Sequence, residues 1–254
     1  MARKKKKRIR HVRFFIGLCL AAIFFFIFIF IVFVRPHLTR PGFEIYVPSG
    51  YAVHGIDVSR YQQKINWAAV KKMDSGGERI WFVFIKATEG VNNVDPWFEE
   101  NWEGTKEQGI ARGAYHYFIA GRDPVQQANN FIENVSLGPG DLPPVLDIEK
   151  AGRLPVTRIQ NDAKTWLDTI EKYYGTVPVI YTNISFYEKY FSTGFEKYPL
   201  WIAHYKEAYR PRIDKDWAIW QHNETGKVDG IKAPVDFNVF NGDSVAFKNF
   251  LINR

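Results

Sequence analysis

Cysteine is almost absent. The one cysteine, Cys19, lies inside an apolar run near the N-terminus, which leaves no disulfide framework and no thiolate metal site. A cysteine-free remainder tolerates an oxidising compartment without requiring one. Acidic residues are missing before Glu44, whereas eight Lys and Arg fall within residues 1–13 and Arg35 and Arg40 add two more. Setting those ten aside leaves 24 basic against 27 acidic residues, a net of −3, so the whole-chain value of +7 belongs to the N-terminal segment. The high isoelectric point therefore lends no support to a nucleic-acid partner. No carboxylate–histidine spacing matches a zinc-binding helix, and neither metal nor other cofactor is expected.

What is present points elsewhere. The chain has 254 residues, 46% hydrophobic and 17% aromatic, enough for one large core. Phe14 to Val34 is a run of 21 residues without a charge. As a helix it would span roughly 30 Å, the thickness of a bilayer core. It exceeds the roughly 7–15 residues of a signal-peptide core, and Phe33-Val34-Arg35-Pro36 is a poor cleavage site. The expectation is a transmembrane anchor over 14–34 with the basic tail, 1–13, in the cytoplasm. Everything after it would then lie outside the membrane, periplasmic or extracytoplasmic, or be secreted were the anchor cleaved. A nuclear-localisation or nucleic-acid patch at Lys4–Arg8 is the rival, weakened by its junction to a membrane-length run. Residues 35–50 hold Pro36, Pro41, Gly42, Pro48, Ser49 and Gly50 and read as a tether reaching about 50–60 Å at most.

From Val53 onward apolar strand-like runs alternate with helical patterns. The predicted strands are Val53–Val58, Ile80–Ala87, Gly113–Phe118, Val145–Glu149, Val177–Thr182, Leu200–His204, Ala218–Gln221 and Val235–Phe240. Helices are predicted near Pro96–Gln108, over Pro124–Asn134 with Asp123 as N-cap, and over Thr157–Tyr174 with Gly175 at the C-terminal cap. Eight strands with shrinking crossovers suggest an irregular TIM-like β/α barrel over 51–254, an open doubly wound sheet being the alternative. A monomer is expected.

Polar residues gather at strand ends. Asp57 closes the first strand, Lys86 the second, Tyr115, His116 and Tyr117 the third, and Asp147 and Glu149 the fourth. Tyr181 and Asn183, His204 and Tyr205, then Trp220 and Gln221 follow, and Asp236 begins the last. Residues at the C-terminal ends of barrel strands converge on one face. Asp147 and Glu149, two apart in a strand, point the same way, and mutual repulsion raises one of them. An isolated Asp-x-Glu is more often a solvated strand end. A protonated acid beside an ionised one is also what acid-catalysed glycoside cleavage needs. The tryptophans Trp67, Trp81 and Trp102 read as core.

Eight stretches, in order, carry a resemblance: Gly55-Ile56-Asp57-Val58-Ser59; Phe84-Ile85-Lys86-Ala87-Thr88-Glu89-Gly90; Gly113-Ala114-Tyr115-His116-Tyr117-Phe118; Val145-Leu146-Asp147-Ile148-Glu149; Ile180-Tyr181-Thr182-Asn183; Leu200-Trp201-Ile202-Ala203-His204-Tyr205; Trp220-Gln221-His222; and Val235-Asp236-Phe237-Asn238. Together they resemble the family 25 glycoside hydrolases, the Chalaropsis-type lysozymes or N-acetylmuramidases, over about residues 52–245. The resemblance implies a β/α barrel that cuts the β-1,4 bond between N-acetylmuramic acid and N-acetylglucosamine in peptidoglycan. The family's acidic set falls on Asp57, Asp147, Glu149 and Asp236. Glu149 is expected to be the general acid. Tyr115, Tyr117, Tyr181, Asn183, Tyr205, Trp220, Gln221, Lys86 and His116 are the substrate-binding candidates. A substrate-assisted route, with Asp147 steadying the 2-acetamido group, and an inverting route both stay open at this point. A membrane-tethered wall-binding module without activity and a chitinase-like hydrolase are the competing classes.

Overall fold

A computed structural model describes residues 2–30 and 39–253. The chain divides into two compact units, 1–47 and 48–254. In the first, helix α1 spans Ala2–Ile29. Large apolar side chains from Phe14 to Phe30 are exposed on it. The expected transmembrane span is not carried by this helix: among the described residues none is long and apolar enough to cross a membrane. Its N-terminal part is basic, and the charge-free part from Phe14 to Ile29 would extend only about 24 Å. The last residues of the expected span, 31–34, lie outside the described residues, as do 35–38 of the expected tether. The rest of that tether is not simply extended. Arg40 and Ile45 close a turn by a backbone bond of 2.8 Å, and Phe43, Ile45 and Val47 are buried.

The second unit holds nine strands: β1 His54–Val58, β2 Ile80–Glu89, β3 Asn93–Val94, β4 Ala111–Tyr117, β5 Val145–Asp147, β6 Val179–Asn183, β7 Leu200–Ala203, β8 Ile219–Gly226 and β9 Val235–Phe240. The hydrogen-bonded order is β1-β9-β8-β7-β6-β5-β4-β2-β3, and β1 also pairs with β2, so eight strands close into a barrel. The two-residue β3 only pairs back on the end of β2. All eight expected strands are present, with ends shifted by a few residues. Neighbours from β1 through β8 run parallel, but β9 is antiparallel to both β8 and β1.

The helices follow from local chemistry. Helix α4 (Pro124–Asn134) starts where Asp123 Oδ1 accepts from the Val125 and Gln126 amides at 2.8 and 3.1 Å. Helix α5 (Val156–Tyr174) buries Ile159, Ala163, Trp166, Leu167 and Ile170, and ends at Gly175 with φ 66°. Helices α2 (Trp67–Lys72) and α3 (Phe98–Glu107) precede these, and α6 (Ile184–Phe186) and α7 (Ser244–Phe250) follow. Trp67 and Trp102 are core, as expected, but Trp81 is 40% exposed, because it lies on the outer face of β2.

Aromatic rings fill the barrel. Phe82 and Phe84 of β2 point inward, and their register partners on the flanking strands are Gly55 and Gly113. A Cβ at either glycine would overlap the ring beside it, so both strands stay bare to admit the phenylalanines. Phe84 stacks on Trp201 with ring centres 4.4 Å apart, and Tyr181 meets the same indole edge-on at 4.5 Å. This plug seals the interior below the strand ends where the acids lie.

Candidate active site

Asp57 is the fourth residue of β1 and Asp236 the second of β9, and the antiparallel register sets them opposite one another. Because β9 runs against its neighbours, its beginning lies at the same barrel end as the finish of the parallel strands. Asp236 therefore joins that face although it comes early in its strand. Strand β5 stops at Asp147, two residues before Glu149, shorter than expected. The backbone beyond is still clamped: Ile148 N donates to Tyr181 O at 3.1 Å, and Thr182 Oγ1 to Ile148 O at 2.6 Å. Ile148 is thereby buried, and Asp147 and Glu149 both face the cavity.

All four acids line one cavity of about 200 Å³. Lys86, Tyr115, Tyr117, Tyr181 and Gln221 line it too, as expected. So do Ser59, which follows Asp57 at the end of the first strand, and Tyr61 and Trp201, which had not been singled out as site residues. Clefts of about 870 and 380 Å³ lie elsewhere and are lined by none of the four acids. The small cavity is the chemical one, because the titratable groups converge there.

Burial raises every acid in it. Asp147 is pushed well above the ordinary carboxylate range, first by burial and then by Glu149, with Lys86 pulling the other way. Its Oδ1 is buried with no hydrogen-bond partner among the described residues. Glu149, less buried, is raised by burial against the pull of Lys150 and Lys86. Asp57 and Asp236 act as a pair. Asp57 is raised by burial and by the Asp236 charge, and Asp236 is pushed up to about 6, chiefly by burial. Two such groups in contact titrate together, so the pair holds one proton above the usual carboxylate range. Lys86 Nζ pairs with Glu89 Oε2 and lies 4.7 Å from the Tyr117 ring centre, which fixes its charge at the cavity wall. Among the described residues, no group of three or more His, Cys, Asp or Glu is placed to hold a metal ion.

Four candidates, His116, Trp220, Asn183 and Tyr205, fall outside the cavity. His116 is buried on the outer face of β4, between Thr88 Oγ1 at 2.7 Å and Gln127 Oε1 at 3.3 Å, with its ring stacked on Trp166. Burial pushes its pKa down to about 3, so it stays neutral. Trp220 is fully buried outside the barrel wall, where its Nε1 donates to His204 O at 2.8 Å. Asn183 caps α6: its Oδ1 accepts from Phe186 N at 3.0 Å. Tyr205 does not line the cavity, but its hydroxyl reaches Gln221 Oε1 at 2.6 Å. Asn238, not expected, donates from Nδ2 to Asp57 Oδ2 at 2.8 Å. It is two residues from Asp236 in the same strand, so the alternation that places one predicts the other.

Comparison with known proteins places the chain in a family. The family described as "Glycosyl hydrolases family 25" matches residues 56–231. The chain belongs to glycosyl hydrolase family 25. It is 45% identical over 213 residues to "Uncharacterized protein YegX" of Escherichia coli O6:H1, covering 83% of this chain and 77% of that one. It is 35% identical over 210 residues to Lysozyme M1 of Streptomyces globisporus, covering 76% and 69%. A solved family 25 glycosyl hydrolase from Bacillus anthracis superposes with a TM-score of 0.73 at 29% identity, covering 80% of this chain and 94% of that one. The protein is a glycoside hydrolase. Asp236 and Asn238 lie beyond the matched segment, and the fold of β9 carries them to the same barrel end as the other three acids.

Proposed function

We propose that the protein hydrolyses peptidoglycan, cleaving the β-1,4 bond between N-acetylmuramic acid and N-acetylglucosamine. The observation that carries this is the single cavity in which Glu149, raised by burial, sits beside Asp147 with the Asp57–Asp236 pair in the same wall. The relatives named lysozyme and N,O-diacetylmuramidase support the substrate.

Glu149 acts as general acid. It gives its proton to the bridging oxygen as the C–O bond breaks, a role worth roughly 10²–10⁴-fold in rate. Positive charge then develops on the sugar ring. The single negative charge of the Asp57–Asp236 pair offsets it, and Asp147, which burial and Glu149 hold toward its protonated form, adds a second once a substrate N–H donor favours its ionised form. The buried, unpartnered Oδ1 of Asp147 favours the substrate-assisted route. An acetamido N–H donating to it would align the acetamido oxygen for attack on the anomeric carbon, one of the exceptions to the two-carboxylate scheme. Tyr61, 69% exposed at the rim, together with Tyr115, Tyr117 and Tyr181, offers apolar ring surface to sugar faces.

The charge-free run 14–34 behind eight basic residues supports a further proposal, that the hydrolase is held at a membrane with its barrel outside. Carbonate extraction of membranes tests it; release of the full-length chain into the soluble fraction would refute it.

The test of the activity is digestion of purified peptidoglycan by the wild type and by Glu149→Gln, with products reduced and analysed by mass spectrometry. Muramic-acid reducing ends from the wild type alone are expected. No cleavage by either, with both sedimenting on the wall, would instead make the chain a binding module.

A further inference from the structure

The polar groups beneath the acids form two converging relays. From one side, Trp201 Nε1 donates to Asn238 Oδ1 at 2.7 Å, and Asn238 Nδ2 donates to Asp57 Oδ2 at 2.8 Å. From the other, the hydroxyls of Tyr181 and Tyr205 donate to Gln221 Oε1 at 2.7 and 2.6 Å, and Gln221 Nε2 donates to the same Asp57 Oδ2 at 2.8 Å. An indole nitrogen can only donate, so the Asn238 amide has one permitted orientation, with its NH₂ toward Asp57. Gln221 has no oxygen lone pair left over, since two phenols occupy it. It is not free to bind substrate through that atom.

We infer that Gln221 and Asn238 are positioning residues that leave Asp57 a single proton site, Oδ1, and hold that oxygen against Asp236, so that the two carboxyl groups share one proton and carry one negative charge between them. The inference rests on reading this cavity as the catalytic site. A carboxylate oxygen offers two lone pairs in its plane, and both on Asp57 Oδ2 are taken by N–H donors. Without the amides, a proton could sit on any of four oxygens and the charge of the pair would wander. With them, the proton is confined to the Asp57–Asp236 contact. Both acids line the cavity, Asp236 being the less buried of the two, and its opposing position on β9 makes the contact possible.

The charged and titratable surroundings keep this arrangement. Asp147 from β5, Tyr115 from β4, Tyr181 from β6 and Tyr205 after β7 all face Asp57, and its charge raises each of them. Glu149 and Glu224 face Asp236. Lys86, the cation at this wall, faces Asp147 and Glu149. The two amides are the groups that pull Asp57 toward its ionised form against burial and the Asp236 charge.

The experiment is a carboxyl titration by carbon-13 NMR on full-length protein labelled at aspartate. Wild type, Gln221→Met, Asn238→Leu and Asn238→Asp are compared, with the pH profile of kcat/KM measured in parallel. Removing an N–H donor to an ionised carboxylate raises the midpoint of the pair by about one pH unit, and the acid limb of kcat/KM moves with it. Asn238→Asp keeps the acceptor for Trp201 while replacing a donor to Asp57 by a third carboxyl, so the indole bond is retained and the pair shifts further. Midpoints that stay at their wild-type positions, with activity lowered equally at every pH, would reduce both residues to structural packing and overturn the inference. The titration needs no turnover. A shifted pair in a protein that cleaves no peptidoglycan would sustain the positioning role and refute the proposed activity separately.

Discussion

Asp57 and Asp236 sit directly opposite one another across the antiparallel seam that closes an otherwise parallel barrel. Two acids in register cannot both ionise cheaply, so their arrangement is a store of unfavourable charge. Asp236 has its pKa pushed up to about 6 when folded, against roughly 3.9 in an unfolded chain. A raised carboxyl favours the fold below the unfolded value and loses that contribution as pH climbs through the folded one. Asp236→Asn should therefore stabilise the protein at pH 7, on the order of 2 kcal/mol, while sharply lowering activity. Thermal melts from pH 4 to 7 check this: the variant's advantage must grow with pH and vanish near pH 4.

Glu149→Gln should lower turnover by about 10²–10⁴-fold and leave sedimentation with peptidoglycan intact. Asp147→Asn keeps the shape but removes the anion that would orient an acetamido N–H. Its loss should be similar in kcat with a smaller change in KM. Proton NMR of fresh product distinguishes the routes. Retention of the β-anomer fits attack by the acetamido oxygen, and inversion would require water activated from the opposite face.

Two buried histidines should respond to substitution to different extents at pH 7. His116 sits between Thr88 and Gln127, and His116→Leu would orphan the Thr88 hydroxyl, which is fully buried, at a cost of roughly 2–3 kcal/mol. His222 is buried with its Nε2 lacking any partner among the described residues, so His222→Leu should change stability at pH 7 by less than about 1 kcal/mol. Both imidazoles have pKa values pushed down to about 3 by burial. Each takes up its proton only on unfolding between about pH 6.5 and 3, so each makes stability fall as pH falls, by about 1.4 kcal/mol per pH unit within that window. Either substitution should flatten the acid side of the stability curve, which denaturant titrations at pH 4, 5 and 6 would measure.

The barrel was legible because its strands are apolar runs at βα spacing, and the acids because they terminate those runs. The missed features have identifiable causes. Tyr115 and Tyr117 face the cavity and His116 between them faces out; Gln221 faces in and its neighbours Trp220 and His222 face out. Strict period-two alternation separates these residues, whereas proximity to a strand end does not. Asn183 immediately precedes a short helix, where an asparagine is a capping residue first. The reversed direction of β9 leaves no mark in composition. It is imposed by barrel closure, and only closure shows why an acid at the start of a strand meets acids at the ends of others.

The rim of the cavity stores a different kind of strain. After β1 the chain makes a tight turn over Arg60–Gln62, and Ser59 and Gln62 cap it reciprocally. Two outside groups pin it: Arg60 N donates to Asp95 Oδ2 at 2.8 Å, and Gln62 Nε2 to Pro234 O at 2.8 Å. The turn ends at Gln63 with φ 52° and ψ −138°, a conformation that glycine adopts readily and a side chain does not. The same turn carries Tyr61, a ring 69% exposed yet part of the wall that carries the acids. Gln63→Gly should relieve about 1 kcal/mol, less the extra chain entropy of glycine, and so raise the melting temperature slightly. Tyr61→Ala should leave stability unchanged, because the side chain buries little. If the ring supports a sugar face, its loss should raise KM several-fold with kcat nearly constant on short glycan substrates. A fall in kcat at unchanged KM would place Tyr61 at the reacting bond instead of at its rim.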